Sequence, residues 1–369
     1  MNSPTESTVN PAPESKPAVT STPAPAGPPS PPTFQPLPAA QFAEWDDFAS
    51  RCPRGSAFQT TWWYRAWGFE PRVQVLRDEK GAISAGICYA LGRRFGTTAI
   101  VRPPCTAGNG VVFSPSRGEG RYKELTHAKQ MNLLAIHSLP QVGFYDLVLR
   151  PADNDLMPFL WNGFDTYVGY TYVIPAADKD TWMDGASKTS RKEMRRAMRE
   201  VTEKGYQIRE NPSAEEILPL VKDTVAAKDF RFEGLDEKFG HWWQAIRDHG
   251  VGCGYLLCDK EGVPMAADVM VWDTHTAYSV VGGIRADLRK DSRVGTILLQ
   301  RMIADAHGRG LNFDFEGSVQ PGVERFMRSF GGELRPMCRV LKIRAPHTYL
   351  AWQIHRYLTR HRKPWVWVD

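Results

Sequence analysis

The segment Arg293–Gly332 constrains the chain most. It reads as helix, short strand, second helix. Ile297, Leu298, Arg301, Met302 and Ala306 recur at helical spacing, so a helix over 294–308 buries an apolar stripe. Gly308 and Gly310 close it, where helices commonly end on a left-handed residue. Residues 311–316 then alternate. Phe313 and Phe315 fall on one face, Asn312, Asp314 and Glu316 on the other. A strand between two helices usually lies inside a sheet, where carboxylates are costly unless paired or used. Two carboxylates on one strand face, followed by Gly317 and Ser318, therefore mark candidate chemistry.

The same order of elements occurs earlier. Helix 121–138, strand 143–150, helix 154–163 and strand 166–174 match helix 294–308, strand 311–316, helix 321–330 and strand 334–345. Aromatic-acidic strands (FYD, FDFE) sit in corresponding places. We read an internal duplication, Met131–Ile174 against Gln300–Ile343. Strands are expected at 72–77, 82–91 and 97–102 in the first half. The second half adds strand 206–210, helices 213–228 and 236–249, and strands 252–259, 264–273 and 276–284. The class is α+β, each half a mixed sheet flanked by helices. The aromatic stretch Phe58–Trp67 has two readings, packing of the first domain or the wall of a substrate groove.

With 369 residues and 42% hydrophobic content, about two domains are expected. Residues 1–36 are mostly Pro, Ser, Thr and Ala and offer almost nothing to bury, so a disordered leader is expected, with a Pro-rich docking motif as the alternative. The net charge of +5 is too small to argue nucleic-acid binding by itself. Six cysteines without a C-x-x-C pair or a histidine cluster suggest reduced thiols, with no metal. No apolar run reaches the ~18 residues of a membrane span, and no signal-peptide pattern opens the chain. A cytoplasmic location is expected, with a peripheral membrane contact left open. Helix 189–205, to be capped by Thr189 or Ser190, carries Arg191, Arg195, Arg196 and Arg199. It is either a solvated basic face or a surface for phosphates. Helix 347–362 is basic in the same way.

The element order of the second half resembles the GNAT acyltransferase fold. The sequences FDFEGS and PGVERFMRSFGGEL resemble the C-terminal signature of the Fem-type aminoacyltransferases and their acetyltransferase-like relatives. The arginine helix ending EKGYQI, the early FQTTWWYRAW and Trp182 fit the same branch. The resemblance covers roughly residues 40–345 and implies tandem GNAT-like domains, at 37–188 and 189–346, followed by a basic C-terminal helix and tail at 347–369. It implies transfer of an acyl or aminoacyl group to an amine. The donor, acyl-CoA, would wedge where strands 276–284 and 311–316 splay, with its pyrophosphate on Arg293, Val294, Gly295 and Thr296 at the start of helix 294–308. This chain departs from the family there. It has a single glycine at that turn, where classical members have Q/R-x-x-G-x-G/A. Fem-type enzymes take aminoacyl-tRNA instead, so aminoacyl-tRNA is the alternative donor.

An acceptor amine must lose a proton, and a carboxylate with a raised pKa can take it. Glu316 is the first candidate and Asp314 the second; their alternative role is pairing with Arg325 or Arg328. Ser318 would orient the acceptor or cap the next helix. Tyr278 would protonate the leaving group or simply pack. Gly282 and Gly283 would bring backbone N–H groups to the carbonyl oxygen or mark a plain bulge. Arg191, Arg195 and Arg325 are candidate substrate contacts, and His241 reads as structural. The expected acceptor is the amine of an amino acid, an amino sugar or a cell-envelope precursor. The competing class is a binding protein that keeps the fold without chemistry.

Overall fold

Alternation and turn residues place the strands; what the sequence does not disclose is their lateral order. The computed structural model describes Met1 and residues 32–150, 155–228, 234–318 and 320–362, and one compact unit spans Thr33–Asp369. The expected leader 1–36 lies outside the described residues over 2–31. Its last residues belong to the fold: Phe34 is buried, and β1 (Gln35–Pro36) pairs with β2 (Pro71–Arg77).

Between β1 and β2 come α1 (Phe42–Arg51) and α2 (Thr61–Ala66). The first half continues through β3 (Ile83–Arg94), β4 (Thr97–Val101), β5 (Val112–Phe113), α3 (Arg121–Ser138), β6 (Phe144–Leu149), α4 (Met157–Trp161) and β7 (Asp165–Ile174). The second half runs α5 (Lys188–Glu203), β8 (Gln207–Glu210), α6 (Ala214–Lys228), α7 (Leu235–Asp248), β9 (Gly252–Cys258), β10 (Pro264–Trp272) and β11 (Thr276–Ile284). It ends with α8 (Ser292–Gly308), β12 (Asn312–Asp314), α9 (Pro321–Arg328), β13 (Glu333–Ile343) and α10 (Pro346–Arg362). The series α3-β6-α4-β7 repeats as α8-β12-α9-β13, as the duplication requires. Ser187, rather than Thr189 or Ser190, caps α5, its hydroxyl accepting from the Ser190 N–H at 3.1 Å.

The described strands form one sheet in the order β1-β2-β3-β4-β6-β13-β7-β12-β11-β10-β9-β8, with β5 on β3. The two halves therefore exchange their last strands. β13 of the second half lies against β6, β7 of the first half lies against β12, and β13 and β7 pair antiparallel at the centre, from Glu333 opposite Val173 to Leu341 opposite Asp165. The expected domains 37–188 and 189–346 divide the chain but not the sheet, because each half completes itself with a strand of the other. Propensity and periodicity fix strand identity but carry no information on lateral order, which is why the exchange was not anticipated.

Helices cover both faces. On one face, α3 packs over β3 and β6, while α5 and α8 pack over the second half around Phe313, Phe315, Ile297 and Met302. On the other, α1 covers the first half, and α6 and α7 cover the second together with Phe58, Trp63 and Trp67. The Trp63 ring meets Trp242 edge-on at 5.7 Å, and Phe58 meets Tyr278 at 5.3 Å. The aromatic stretch is thus core, binding one half to the other. His241 is exposed on α7.

A buried ion pair fastens the exchanged strand. Arg339 on β13 donates from Nε to Asp146 Oδ1 at 2.8 Å and from Nη2 to Oδ2 at 2.6 Å on β6. Burial alone would raise the Asp146 carboxyl; Arg339, with Arg102 and Arg94 behind it, holds it below its ordinary 3.8. A folded pKa below the unfolded one contributes stability that is present above the unfolded value and is lost as pH falls through the folded one. Replacing Asp146 with Ala leaves Arg339 charged and unpaired in the sheet, so urea melts should show a loss of about 3–5 kcal/mol. The acid limb of wild-type stability below pH 3.8 should flatten in the same variant.

Candidate active site

β12 is short because its last residue ends it. β11 and β12 run parallel and pair only from Thr276 opposite Asn312 to Tyr278 opposite Asp314, after which β11 continues to Ile284 alone on that side. The expected strand 311–316 stops at Asp314. The Asp314 carboxylate accepts from the Thr171 hydroxyl of β7 and from the Glu316 N–H at 2.8 Å, folding the backbone back on itself. The Phe315 N–H then bonds Tyr172 O at 3.1 Å, and Glu316 takes φ 60°. A left-handed glutamate is strained by about 1–2 kcal/mol, which the flanking hydrogen bonds offset. Gly317 follows at φ 64°, where a Cβ would lie 2.4 Å from Tyr170 O. The two strands therefore part, with Glu316 at the fork.

Glu316 is partly exposed, whereas Asp314 is 1% exposed. Burial, helped by the neighbouring Asp314 and opposed by Arg102, pushes Glu316 up to about 8. Burial also raises Asp314, against the bonds from Thr171 and the Glu316 N–H, with Asp273 adding to the rise. Asp314, the second candidate base, is thus sealed from any acceptor and positions Glu316 instead. Two groups from the loop after β4 are electrostatic neighbours of Glu316, Arg102 and Cys105. Burial first, then the charge of Glu316, pushes the Cys105 thiol up to about 12, so it stays protonated. Tyr278 is buried and donates its hydroxyl to Asp273 at 2.8 Å, beside Arg150. It is a packed strand tyrosine and has no free proton for a leaving group. Ser318 Oγ accepts from the Gln320 N–H at 3.2 Å, in the turn just before α9.

The family model described as an acetyltransferase (GNAT) domain matches residues 188–328, from α5 through α9. The chain carries a GNAT domain. Its fold extends over both halves. FemX is similar at 14% identity over 87% of this chain and 99% of that one, with a TM-score of 0.60. L-PGS from Bacillus licheniformis is similar at 11% identity over 86% and 96%, with a TM-score of 0.53. The C-terminal domain of a putative lysylphosphatidylglycerol synthetase from Agrobacterium fabrum is similar at 11% identity over 86% and 96%, with a TM-score of 0.50. At these identities the likeness is one of fold. No curated protein matches the sequence. The order of elements repeats in the first half, so the architecture is tandem GNAT-like.

The donor end of the GNAT domain departs from expectation. The first turn of α8 already holds a carboxylate: Asp291 Oδ1 accepts from the Arg293 N–H at 3.1 Å and from its Nε at 2.8 Å. The same guanidinium pairs with Glu200 of α5. Arg293, the expected phosphate contact, is thus held by two carboxylates. Val294 is buried in the core. At Gly295 a Cβ would sit 3.5 Å from the Phe326 ring of α9, and Thr296 is buried. This arrangement does not fit a pyrophosphate cradle. Gly282 and Gly283 serve packing. A Cβ on Gly282 would fall 2.5 Å from Asp268 Oδ2, and one on Gly283 2.1 Å from Leu220 O of α6. The Ile284 N–H is taken by Thr224 Oγ1 at 3.1 Å. The irregularity in β11 lies earlier: Val269 faces Val281 and Met270 faces Ser279, leaving Val280 unmatched just beyond the fork.

The candidate substrate arginines do not gather at Glu316. Arg191 is tied to Asp184, with Nη1 3.2 Å from its carbonyl oxygen. Arg195 is exposed on α5, and Arg325 is exposed on α9 beside Glu324. α5 packs on α8, on the face of Phe313 and therefore opposite Asp314 and Thr171.

The GNAT-like fork of the first half is closed. β4 and β6 meet in parallel only at Ala99 and Phe144. Beyond that point Asn109 bonds the freed edge, its N–H to Val148 O at 3.0 Å and its Oδ1 accepting from the Val148 N–H at 2.7 Å. Gly108 fits there because a Cβ would lie 2.8 Å from Arg150 Cγ. The plugging loop is the one that brings Arg102 and Cys105 to Glu316.

Thr171, Arg102 and Asp273 were not singled out in the sequence, since a strand threonine and a loop arginine carry no local signal. Thr171→Val tests the assignment of Asp314. Without the hydroxyl, the Asp314 pKa rises further. A neutral Asp314 no longer repels Glu316, whose pKa falls. A protein-detected carboxyl titration should show the Glu316 midpoint move to lower pH.

Proposed function

We propose that the protein is an N-acyltransferase in which Glu316 removes the proton of the acceptor amine. The observation that carries this reading is the partly exposed Glu316 at the fork of β11 and β12, its pKa raised into the range of a working base. The acceptor nitrogen attacks the acyl carbon, its proton passes to Glu316, and the donor's sulfur or oxygen leaves with the bonding electrons as thiolate or alkoxide and takes up that proton. In this reading backbone N–H groups at the Val280 irregularity, rather than at Gly282 and Gly283, would meet the developing oxyanion. The acceptor class we favour is an amine on an amino acid, an amino sugar or a cell-envelope precursor.

For the donor, acyl-CoA follows from the family, while the occupied first turn of α8 favours an aminoacyl ester on tRNA. The exposed Lys188, Lys192, Arg195 and Arg199 on α5 would then meet the phosphate backbone. Fem-type kinship supports the same choice. Retention on charged tRNA that falls steeply between low and moderate salt supports this donor. Saturable coenzyme A binding, with no retention on tRNA at low salt, would return the donor to acyl-CoA.

Glu316→Gln should lower kcat by about 10²–10⁴-fold with the working donor; unchanged kcat removes Glu316 from the mechanism. In the wild type, kcat/KM should rise with pH through about 8 as Glu316 ionises. A carboxyl whose folded pKa exceeds its unfolded one withdraws stability as pH rises past the unfolded value. The Gln variant should therefore melt at a higher temperature than wild type at alkaline pH and lose that advantage below pH 4.

A further inference from the structure

Helix α10 is turned the unusual way for a surface helix. Its buried side is narrow. Trp352 packs between Phe95 and Phe144, Thr348 is buried, and Arg356 Nη1 bonds the Tyr167 hydroxyl at 3.3 Å. The opposite side points outward and is apolar. Leu350 is 62% exposed, Ile354 52%, Tyr357 64% and Leu358 56%. Their spacing places all four on one stripe of the helix, about 120–160° around from Trp352. Such a stripe on a monomer surface marks an interaction site.

The charge of the helix and of the sequence after it selects the occupant. No Asp or Glu occurs between Glu333 and Asp369, whereas Arg344 and Arg356 do, followed in sequence by Arg360, Arg362 and Lys363. The tail then reads Pro364-Trp365-Val366-Trp367-Val368, and tryptophan is the residue type enriched at membrane–water boundaries. Among the described residues no helix is long and apolar enough to cross a membrane. An outward apolar stripe in an acid-free, arginine-rich segment fits a helix lying in an interface plane.

We propose that α10 docks the protein onto an anionic lipid surface, with Leu350, Ile354, Tyr357 and Leu358 entering the headgroup boundary. This inference stands apart from the acyl-transfer reading. The helix lies on the sheet face that carries the fork. Arg356 bonds Tyr167, and Thr171, four residues along β7 and on the same face, bonds Asp314. Docking would therefore hold that face close to lipid headgroups.

The test is flotation of the full chain with vesicles of phosphatidylglycerol mixed with phosphatidylcholine, against vesicles of phosphatidylcholine alone. Wild type should float with the anionic vesicles, be released by salt and stay behind with the neutral ones. Leu350→Glu/Ile354→Glu should lower the bound fraction about tenfold or more with an unchanged melting temperature. Arg360→Gln/Arg362→Gln should weaken binding to anionic vesicles without creating binding to neutral ones. Failure of wild type to float, equal flotation with neutral vesicles, or an unaltered Leu350→Glu/Ile354→Glu variant would overturn the proposal. So would a wild-type dimer that this variant splits into monomers, since a second copy would then be what covers the stripe.

Discussion

The bond from the Thr171 hydroxyl to the Asp314 carboxylate organises the site. It ends β12 early, turns the chain at Glu316 and leaves β11 without a neighbour beyond Tyr278. Its donor belongs to the first half of the chain and its acceptor to the second. The bond exists only because β7 crosses to lie beside β12. The geometry at the fork therefore depends on the exchange of strands, and the exchange depends on how firmly β13 is seated on β6. That seat includes Arg339 and Asp146, an ion pair inside the sheet whose cost of desolvation is recovered only while both partners stay in place.

The same logic explains why Asp314, the last residue of β12, and Glu316, just past its end, have unlike surroundings. Both are raised by burial. Asp314 is enclosed and spends its oxygens on Thr171 and the Glu316 N–H, so it shapes the turn. Glu316 has a left-handed backbone that swings its side chain out of the strand's alternation and into partial contact with solvent. A buried charge of one sign beside a less buried group of the same sign raises the latter's proton affinity without competing for its substrate.

Much of this was legible in the residues, and the limits are instructive. Helix 294–308, the paired phenylalanines and the acidic turn could be read from periodicity, because 3.6- and 2-residue repeats are local properties. The place of Glu316 followed from the end of that pattern. Asp314 and Glu316 were expected on one face because alternation was carried past the point where the backbone turns. Nothing short of the Thr171 contact, 143 residues away, announces that turn. The reading of Arg293 failed differently. A basic residue at a helix start suggests an anion site, yet Asp291, two residues before it, and Glu200, on another helix, take the guanidinium first. Gly282 and Gly283 illustrate a third limit: a glycine pair signals close approach, but whether helix or ligand comes close is a tertiary fact.

The two halves repeat one order of elements but differ at their forks. In the first, Asn109 and its neighbours fill the cleft between β4 and β6. That filling did not become idle. By lodging there, the loop leans Arg102 and Cys105 across to Glu316. The filled fork thus forms part of the casing of the open one, and reopening it would pull that casing apart.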